Sequence, residues 1–438
     1  MNRQVLRLAV PNIISNLSIP LLSSVDTALM GRMDEPYYIG AIAVGGVIFN
    51  FLYWGFGFLR MGSTGLTAGA YGRNDRMQIA LTLYRALLVA AIAGVALVVL
   101  QRPISEIAFW LIDSGDQVRH YAEVYFSIRI WSAPATLALY SIQGWMLGLQ
   151  NARDPMIITV AHNLFNIVCN VALVYGLEMT ADGVALGTVI ADYSALALAF
   201  LFVYKRYGYR LIRVDMIRVM QREELLLFFR VSSDIMIRTL SVIFAFAFFT
   251  AQSAEAGDQI LAANTILIQL WNILAYGVDG FAYAAESLVG RYTGAKDLTN
   301  LKKAVTTVMS WGIGLGVMLS GVYAVGNEYI LRLYTDQADV IDLAMQYFGW
   351  TIAAPLINAY CFIWDGVFIG ATATKQMRNS MLFSVIVIYL PVYYFGFPYL
   401  ENHALWLAMS LFMIFRGVTL TFYAPGAIYH PIKKARSL

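Results

Sequence analysis

Residues 19–33 read Ile19-Pro20-Leu21-Leu22-Ser23-Ser24-Val25-Asp26-Thr27-Ala28-Leu29-Met30-Gly31-Arg32-Met33, and the fold turns on how this stretch is understood. It closes a long apolar run that begins near Val5, and about 20 apolar residues suffice to carry a helix across a bilayer. Asp26 is the only acid in the run, well short of the polar end at Arg32-Met33-Asp34-Glu35. A carboxylate in hydrocarbon costs several kcal/mol, so one retained there is a candidate functional group. At helical spacing Leu22, Asp26, Met30 and Met33 share a face. Pro20 removes the backbone bond to the Asn16 carbonyl and predicts a bend six residues before the acid. One acid, a Met-lined face and a weak point in one helix describe a site that moves.

The rest of the chain has the same character. Of 438 residues 59% are hydrophobic and only 13% charged, with a mean hydropathy of +0.64. Soluble domains run near a quarter charged, so the composition is that of a membrane protein throughout. The net charge of +3 is spread over short loops, which excludes the clustered basic face of a nucleic-acid binder. Cys169 and Cys361 both fall inside apolar runs and read as small core hydrophobes rather than a disulfide framework. The N-terminal run is too long for the apolar core of a cleavable signal and lacks an Ala-x-Ala site, so it is expected to remain as the first span.

Twelve apolar segments follow one another: 5–30, 39–67, 78–100, 121–149, 156–177 and 184–204, then 225–251, 260–289, 302–325, 345–369, 381–399 and 405–423. The longest polar stretch, 205–224, carries Lys205, Arg206, Arg210, Arg213, Arg218 and Arg222 and divides the chain. Residues 1–204 and 225–438 are therefore expected to form two bundles of six helices joined by a basic linker. Alternate connections carry the other basic residues: Arg3 and Arg7; Arg73 and Arg76; Arg153; Arg291, Lys296, Lys302 and Lys303; Lys375 and Arg378; Lys433, Lys434 and Arg436. The opposite ends carry only Arg32, Arg102, Arg119 and Arg332. The positive-inside rule then places both termini and the linker in the cytoplasm, which requires an even number of spans.

The halves also repeat. Gly72-Arg73 aligns with Gly290-Arg291, and Pro134, Gly144 and Gly148 align with Pro355, Gly366 and Gly370, a period of about 220 residues. Six spans per half makes the repeat parallel, its pseudo-two-fold axis along the membrane normal, which is one of the two transporter plans. The expected fold is an all-α polytopic membrane protein of twelve transmembrane helices, with a substrate path between two bundles.

The intramembrane ionisable residues form a short list: Asp26, Arg60, Arg85, Arg129, His162, Asp192, Asp234, Arg238, Asp279, Glu286, Asp365 and Arg416. Asp234 and Arg238 stand one turn apart and read as a local ion pair. Arg85 and Arg416 read as snorkelling or packing residues, and His162 as a satisfied core histidine. Arg60 precedes Met61-Gly62-Ser63-Thr64-Gly65, small residues that permit close helix approach, so bracing and substrate contact stay equally open there. Asp365 lies mid-span beside Trp364, with function and structure equally open. Asn163, Asn166 and Asn170 form a polar ladder in the fifth span, and Thr188 and Asp192 a second in the sixth. Polar groups in hydrocarbon seek one another, so these ladders are expected to face Asp26 and to hold a proton, a sodium ion or a water. The other reading is uncharged glue between helices.

Enzyme signatures are missing from the sequence. The four histidines at 120, 162, 403 and 430 include no His-x-x-x-His pair, and the chain has no Asp-Asp-x-x-Asp magnesium motif, no Gly-x-x-x-x-Gly-Lys phosphate loop and no nucleophile elbow. Without a nucleotide site, the energy for transport is expected from an ion gradient, and no cofactor is called for.

At this point the motifs resemble a known family, the multidrug and toxic compound extrusion (MATE) transporters, within them the branch of DNA-damage-inducible protein F (DinF). The carrying pieces are Leu8-Ala9-Val10-Pro11, Pro20-Leu21-Leu22 through Val25-Asp26-Thr27-Ala28, and Phe58-Leu59-Arg60-Met61 through Gly65-Leu66-Thr67-Ala68. In the second half they are Asp234-Ile235-Met236-Ile237-Arg238, Asp279-Gly280-Phe281-Ala282-Tyr283-Ala284-Ala285-Glu286, and Asp365-Gly366-Val367-Phe368-Ile369-Gly370-Ala371-Thr372. The resemblance implies a two-lobed, twelve-helix exporter of organic, often cationic compounds, driven by inward protons or sodium across the cell (inner) membrane. It implies that Asp26 takes the coupling cation and bears on substrate, with Asn166 and Thr188 as polar members of the same site and as the ligands if the ion is sodium. Asn170 stands where many relatives carry a second aspartate, and Asp192, one turn beyond Thr188, is the available substitute. Asp365 matches a tenth-helix acid used for a C-lobe cation site in other branches, but the seventh-helix glutamate that accompanies it has no counterpart here. The substrate-contacting set is then Asp26, Met30, Met33, Arg60, Met61 and Asp365, in a protein that meets small molecules and lipid, not nucleic acid, and works as a monomer. The rival reading is a lipid-linked oligosaccharide flippase of similar architecture, which calls for a strongly cationic lumen. Here the deep arginines are few and offset by acids.

Overall fold

The computed structural model describes residues 1–30, 35, 37–112, 115–208 and 215–436, with side chains for all of these except 23, 24, 26–30, 216, 435 and 436. The described residues are overwhelmingly helical and include no strand. Eleven helical stretches are long and apolar enough to cross a membrane. The expected fourth segment, 121–149, adds to these as two shorter pieces, α6 (Asp116–Arg129) and α7 (Ala133–Gly148), joined by a 3-10 turn at Ile130–Ser132. The expected second segment is also interrupted: α2 (Tyr37–Gly55) stops at a turn before α3 (Phe58–Gly72). The first helix, α1 (Asn2–Met30), runs unbroken through Pro11 and Pro20.

The chain divides into two compact units, residues 14–228 and residues 1–13 together with 229–438. Thus α1 starts in one unit and ends in the other, as does α11 (Arg222–Glu255). The first of these units also holds α4 (Arg76–Val99), α5 (Gln101–Leu111), α8 (Arg153–Val171), α9 (Ala181–Tyr207) and the short α10 (Met216–Val219). The second holds α12 (Asp258–Gly294), α13 (Leu298–Arg332), α14 (Ala338–Gly370), α15 (Thr374–Phe383), α16 (Leu390–Leu400), α17 (Asn402–Ala424) and α18 (His430–Arg436). Large apolar side chains stand outward on both, among them Trp110, Val325 and Phe422, each at least 80% exposed. That arrangement is at home in hydrocarbon and would be costly in water.

The repeat is written in backbone contacts. A Cβ added to Gly144 would strike the backbone of Arg60, and one added to Gly148 would meet the Thr64 carbonyl. In the other unit Gly366 meets the Ala282 backbone in the same way, and Gly370 the Glu286 carbonyl. Gly94 lies against Pro134 as Gly316 lies against Pro355. Only glycine lets these helices touch main chain to main chain. The connections repeat as well. Asn74 and Lys296 both take positive φ, at 59° and 54°. Each is followed by an aspartate N-cap, with Asp75 accepting from the Gln78 amide and Asp297 from the Asn300 amide. This register pairs Gly72 with Gly294. Aligning Gly72-Arg73 with Gly290-Arg291 is therefore one helical turn out, because a Gly-Arg pair is too common a signal to fix a register that the turn geometry sets.

Arg85 neither snorkels nor merely packs. It is 2% exposed, and it donates to the carbonyls of Val219 (3.2 Å) and Arg218 (2.9 Å) while pairing with Glu224 at 3.1 Å. A guanidinium on the last carbonyls of α10 satisfies groups that a short helix leaves open, and it pins the end of the basic linker onto α4.

Candidate functional site

The candidate site lies in the unit of residues 14–228, where α8 and α9 pack side by side. Asn166 and Asn170 follow one another along α8 at four-residue spacing, as Thr188 and Asp192 do along α9, so each ladder keeps one face. Gly187 opens the gap between the helices, since a Cβ there would collide with the Asn170 amide. Asn170 Nδ2 donates to Asn166 Oδ1 (2.9 Å), Asn166 Nδ2 donates to Thr188 Oγ1 (3.1 Å), and Thr188 donates to the Val184 carbonyl (2.9 Å). All three polar residues are buried. The three side chains are thus linked in one chain of hydrogen bonds between buried groups.

One turn along the same faces a histidine meets an aspartate. His162 Nε2 lies 2.9 Å from Asp192 Oδ1, and Thr136 of α7 donates to the other carboxylate oxygen at 3.3 Å. The partner of His162, which reads from sequence as a satisfied core histidine, is the sixth-span acid. The Arg129 guanidinium and the hydroxyls of Tyr53 and Tyr140 are within electrostatic reach of Asp192. Arg129 itself donates to the Tyr125 hydroxyl and sits over the Phe49 ring at 4.8 Å, an arrangement that holds a cation in apolar surroundings. Tyr53 shares a hydrogen bond with Ser132 at 3.0 Å, in the 3-10 turn between α6 and α7.

Asn163 joins this cluster to α1. Its Oδ1 is 3.2 Å from His162 Nδ1, and its Nδ2 donates to Ser18 Oγ at 2.7 Å. Asp26 lies further along the same helix, and it and Met30 have side chains outside the described set; Met33 lies outside the described residues altogether. Arg60 is on α3, its backbone under Gly144 and its charge within reach of Tyr140. Met61 is half-buried beside it. The structure therefore brings together Asn166, Asn170, Thr188 and Asp192 of the expected set, and adds His162, Asn163 and Thr136. The signal for His162 was present, since 162, 166 and 170 form one i, i+4 series facing 188 and 192.

Asp365 belongs to a different cluster in the other unit. Its Oδ2 accepts from both Arg238 of α11 and Arg416 of α17, the latter at 2.6 Å. Asp365 is 4% exposed and Arg416 1%. Arg416 also rests over Phe412 at 5.2 Å and donates to the Met413 sulfur. The local Asp234–Arg238 pair expected from sequence does not form. Asp234 instead accepts from Arg378 (2.7 Å) and from Thr374 (3.0 Å), and the tertiary partners outbid an exposed-helix pairing that contributes only about 0.2–0.5 kcal/mol. Among the described residues no group of three His, Cys, Asp or Glu side chains is placed to hold a metal ion.

Comparison with known proteins bears on both units. The MatE family model matches residues 11–172 and again 235–395, once per half. The chain is 39% identical over 413 residues to DNA damage-inducible protein F of Escherichia coli, covering 94% of this chain and 90% of that protein. It is 22% identical over 445 residues to the probable multidrug resistance protein NorM of Thermotoga maritima, covering 97% and 92%. A crystal structure of MATE in the bent conformation superposes with a TM-score of 0.89 at 16% identity over 99% of this chain and 97% of that one, a likeness of fold. Eleven long apolar helices, the duplicated glycine contacts and a family match that occurs twice have one explanation: the chain belongs to the MatE family and is a polytopic membrane transporter of the efflux type rather than an enzyme.

Proposed function

We propose that the protein is a secondary active antiporter that exports organic cations and cationic amphiphiles in exchange for inward protons by alternating access. The observation that carries this reading is the buried cluster on α8 and α9, where a titratable His162–Asp192 pair adjoins the Asn166–Asn170–Thr188 chain. An imidazole is the side chain whose charge changes most readily near neutral pH, and an intramembrane ionisable pair marks an ion pathway by default. The oxygens of Asn166 and Thr188 already accept from N–H donors. That favours a proton over sodium, which needs several free oxygen ligands. Asp26, on the helix that Asn163 contacts through Ser18, is the acid assigned to alternate between proton and substrate. Coupling requires only that the two ligands favour different states. Met61 and the half-buried Met and aromatic side chains supply adaptable apolar contacts for varied substrates. The protein acts as a monomer in the cell membrane with both termini cytoplasmic.

Proteoliposomes given separately a proton gradient and a sodium gradient decide the coupling ion. Proton-driven export is expected, and Asp26→Asn is expected to lower it at least about tenfold, the loss of one transition-specific charge contact. Export driven equally by sodium alone, or undiminished in Asp26→Asn, overturns the reading.

A further inference from the structure

We propose that His162 and Asp192 form a second proton-loading site, and that its occupancy sets the direction of a hydrogen-bond chain ending on α1 at Ser18. The use of this site in transport rests on the antiport reading above; the proton count does not. Ser18 Oγ donates to the Ser15 carbonyl at 2.7 Å. It must therefore accept from Asn163, which presents Nδ2 to it at 2.7 Å. That orientation turns Asn163 Oδ1, an acceptor only, toward His162 Nδ1 at 3.2 Å, so Nδ1 must carry a hydrogen. The other ring nitrogen, Nε2, faces Asp192 Oδ1 at 2.9 Å. A bare lone pair on Nε2 against an ionised carboxylate would repel. At this ion-pair distance a proton on the ring turns repulsion into attraction, so we assign the pair one more proton in the observed arrangement.

Release of that proton to water leaves the pair with one hydrogen fewer. The contact with Asp192 survives only if the remaining ring hydrogen sits on Nε2. Nδ1 is then an acceptor facing the Asn163 oxygen, and the Asn163 amide must turn over to donate to it. Its oxygen now faces Ser18, whose hydroxyl leaves the Ser15 carbonyl and donates to Asn163 instead. Loading and release thus keep the Asp192–His162 contact and reverse the two hydrogen bonds that lead from His162 through Asn163 to Ser18 on α1, two helical turns before Asp26. Each element around the pair contributes a group that senses this change: Tyr53 from α2, Arg129 from α6, Thr136 and Tyr140 from α7, and Tyr193 from α9. None of them takes the place of the missing hydrogen between Nε2 and Oδ1.

Full-length protein labelled with 15N-histidine, in lipid nanodiscs, tests this by NMR between about pH 5 and 9, the range over which histidine changes charge. His162→Gln identifies the signals of His162 among those of His120, His403 and His430. His162 is expected to be protonated on both nitrogens at the acid end and to become the Nε2–H tautomer at the basic end. In Asp192→Asn the new amide can donate to Nε2, so His162 is expected to stay neutral as Nδ1–H at every pH. A wild-type His162 that is neutral throughout overturns the loading site, and a basic form protonated on Nδ1 overturns the reversal of the chain. The wild-type titration decides both points even where a variant fails to fold. Absence of proton-driven export with His162 titrating as described would remove the antiport reading and leave this site standing.

Discussion

In one unit the buried acid Asp192 meets an imidazole, and in the other the buried acid Asp365 meets two guanidiniums. The scaffold under them is the same. Gly144 and Gly148 touch the backbone of α3 as Gly366 and Gly370 touch that of α12, and both units turn the next corner through a positive-φ residue and an aspartate cap. Yet α14 is one helix of 33 residues where its counterpart is broken at Ile130–Ser132 into α6 and α7. The break brings Ser132 to Tyr53 and Thr136 to Asp192, so irregular backbone is spent where the titratable pair lies. Arginine does not release its proton in proteins. The Asp365 cluster therefore ties three helices without exchanging protons, and it leaves Nε of both arginines without an acceptor among the described residues. Duplication supplied the frame, and the chemistry resides in residues that the duplication did not copy.

The comparison breaks first at Asp365. Asp365→Ala strands two buried guanidiniums and is expected to destabilise the protein by about 3–5 kcal/mol, whereas the triple replacement Arg238→Met, Asp365→Leu, Arg416→Met is expected to match or exceed the wild type. Thermal unfolding in detergent measures both, and an Asp365→Ala protein as stable as the wild type would deny the cluster its bracing role. Next come Gly144→Val and Gly366→Val, each expected to cost about 1–3 kcal/mol by forcing main chains apart. Their losses should agree; a clear inequality would separate the two glycine contacts that the repeat equates. The smallest effect belongs to the caps. Asp75→Ala and Asp297→Ala should each lower stability by about 1 kcal/mol and leave the pH dependence of export untouched, in contrast to substitutions at His162.

Legibility in the sequence followed the range of the interaction. The polar ladders of α8 and α9 are visible because four-residue spacing keeps a face, and they meet as expected through Asn166 and Thr188. His162 lies in the same series but reads as core, because nothing local marks its partner 30 positions away in the chain. Asp234 and Arg238 show a local signal that the fold overrides. One turn apart, they suggest each other, but Arg378 and Asp365 claim them from other helices.

Composition and apolar run length by themselves determined that this is an all-helical membrane protein. In hydrocarbon the backbone must satisfy its own hydrogen bonds, and for a chain of such segments the helix does so. The glycine and proline spacings announced a duplication, since only close backbone contact demands those residues at those intervals. Tertiary structure alone decided which acid pairs with which base, where the repeat's register falls, and that Asp192 rather than Asp365 faces a titratable partner. Those outcomes depend on helices distant in sequence, whose relative rotation and depth are set by packing of whole faces, and no local pattern encodes them.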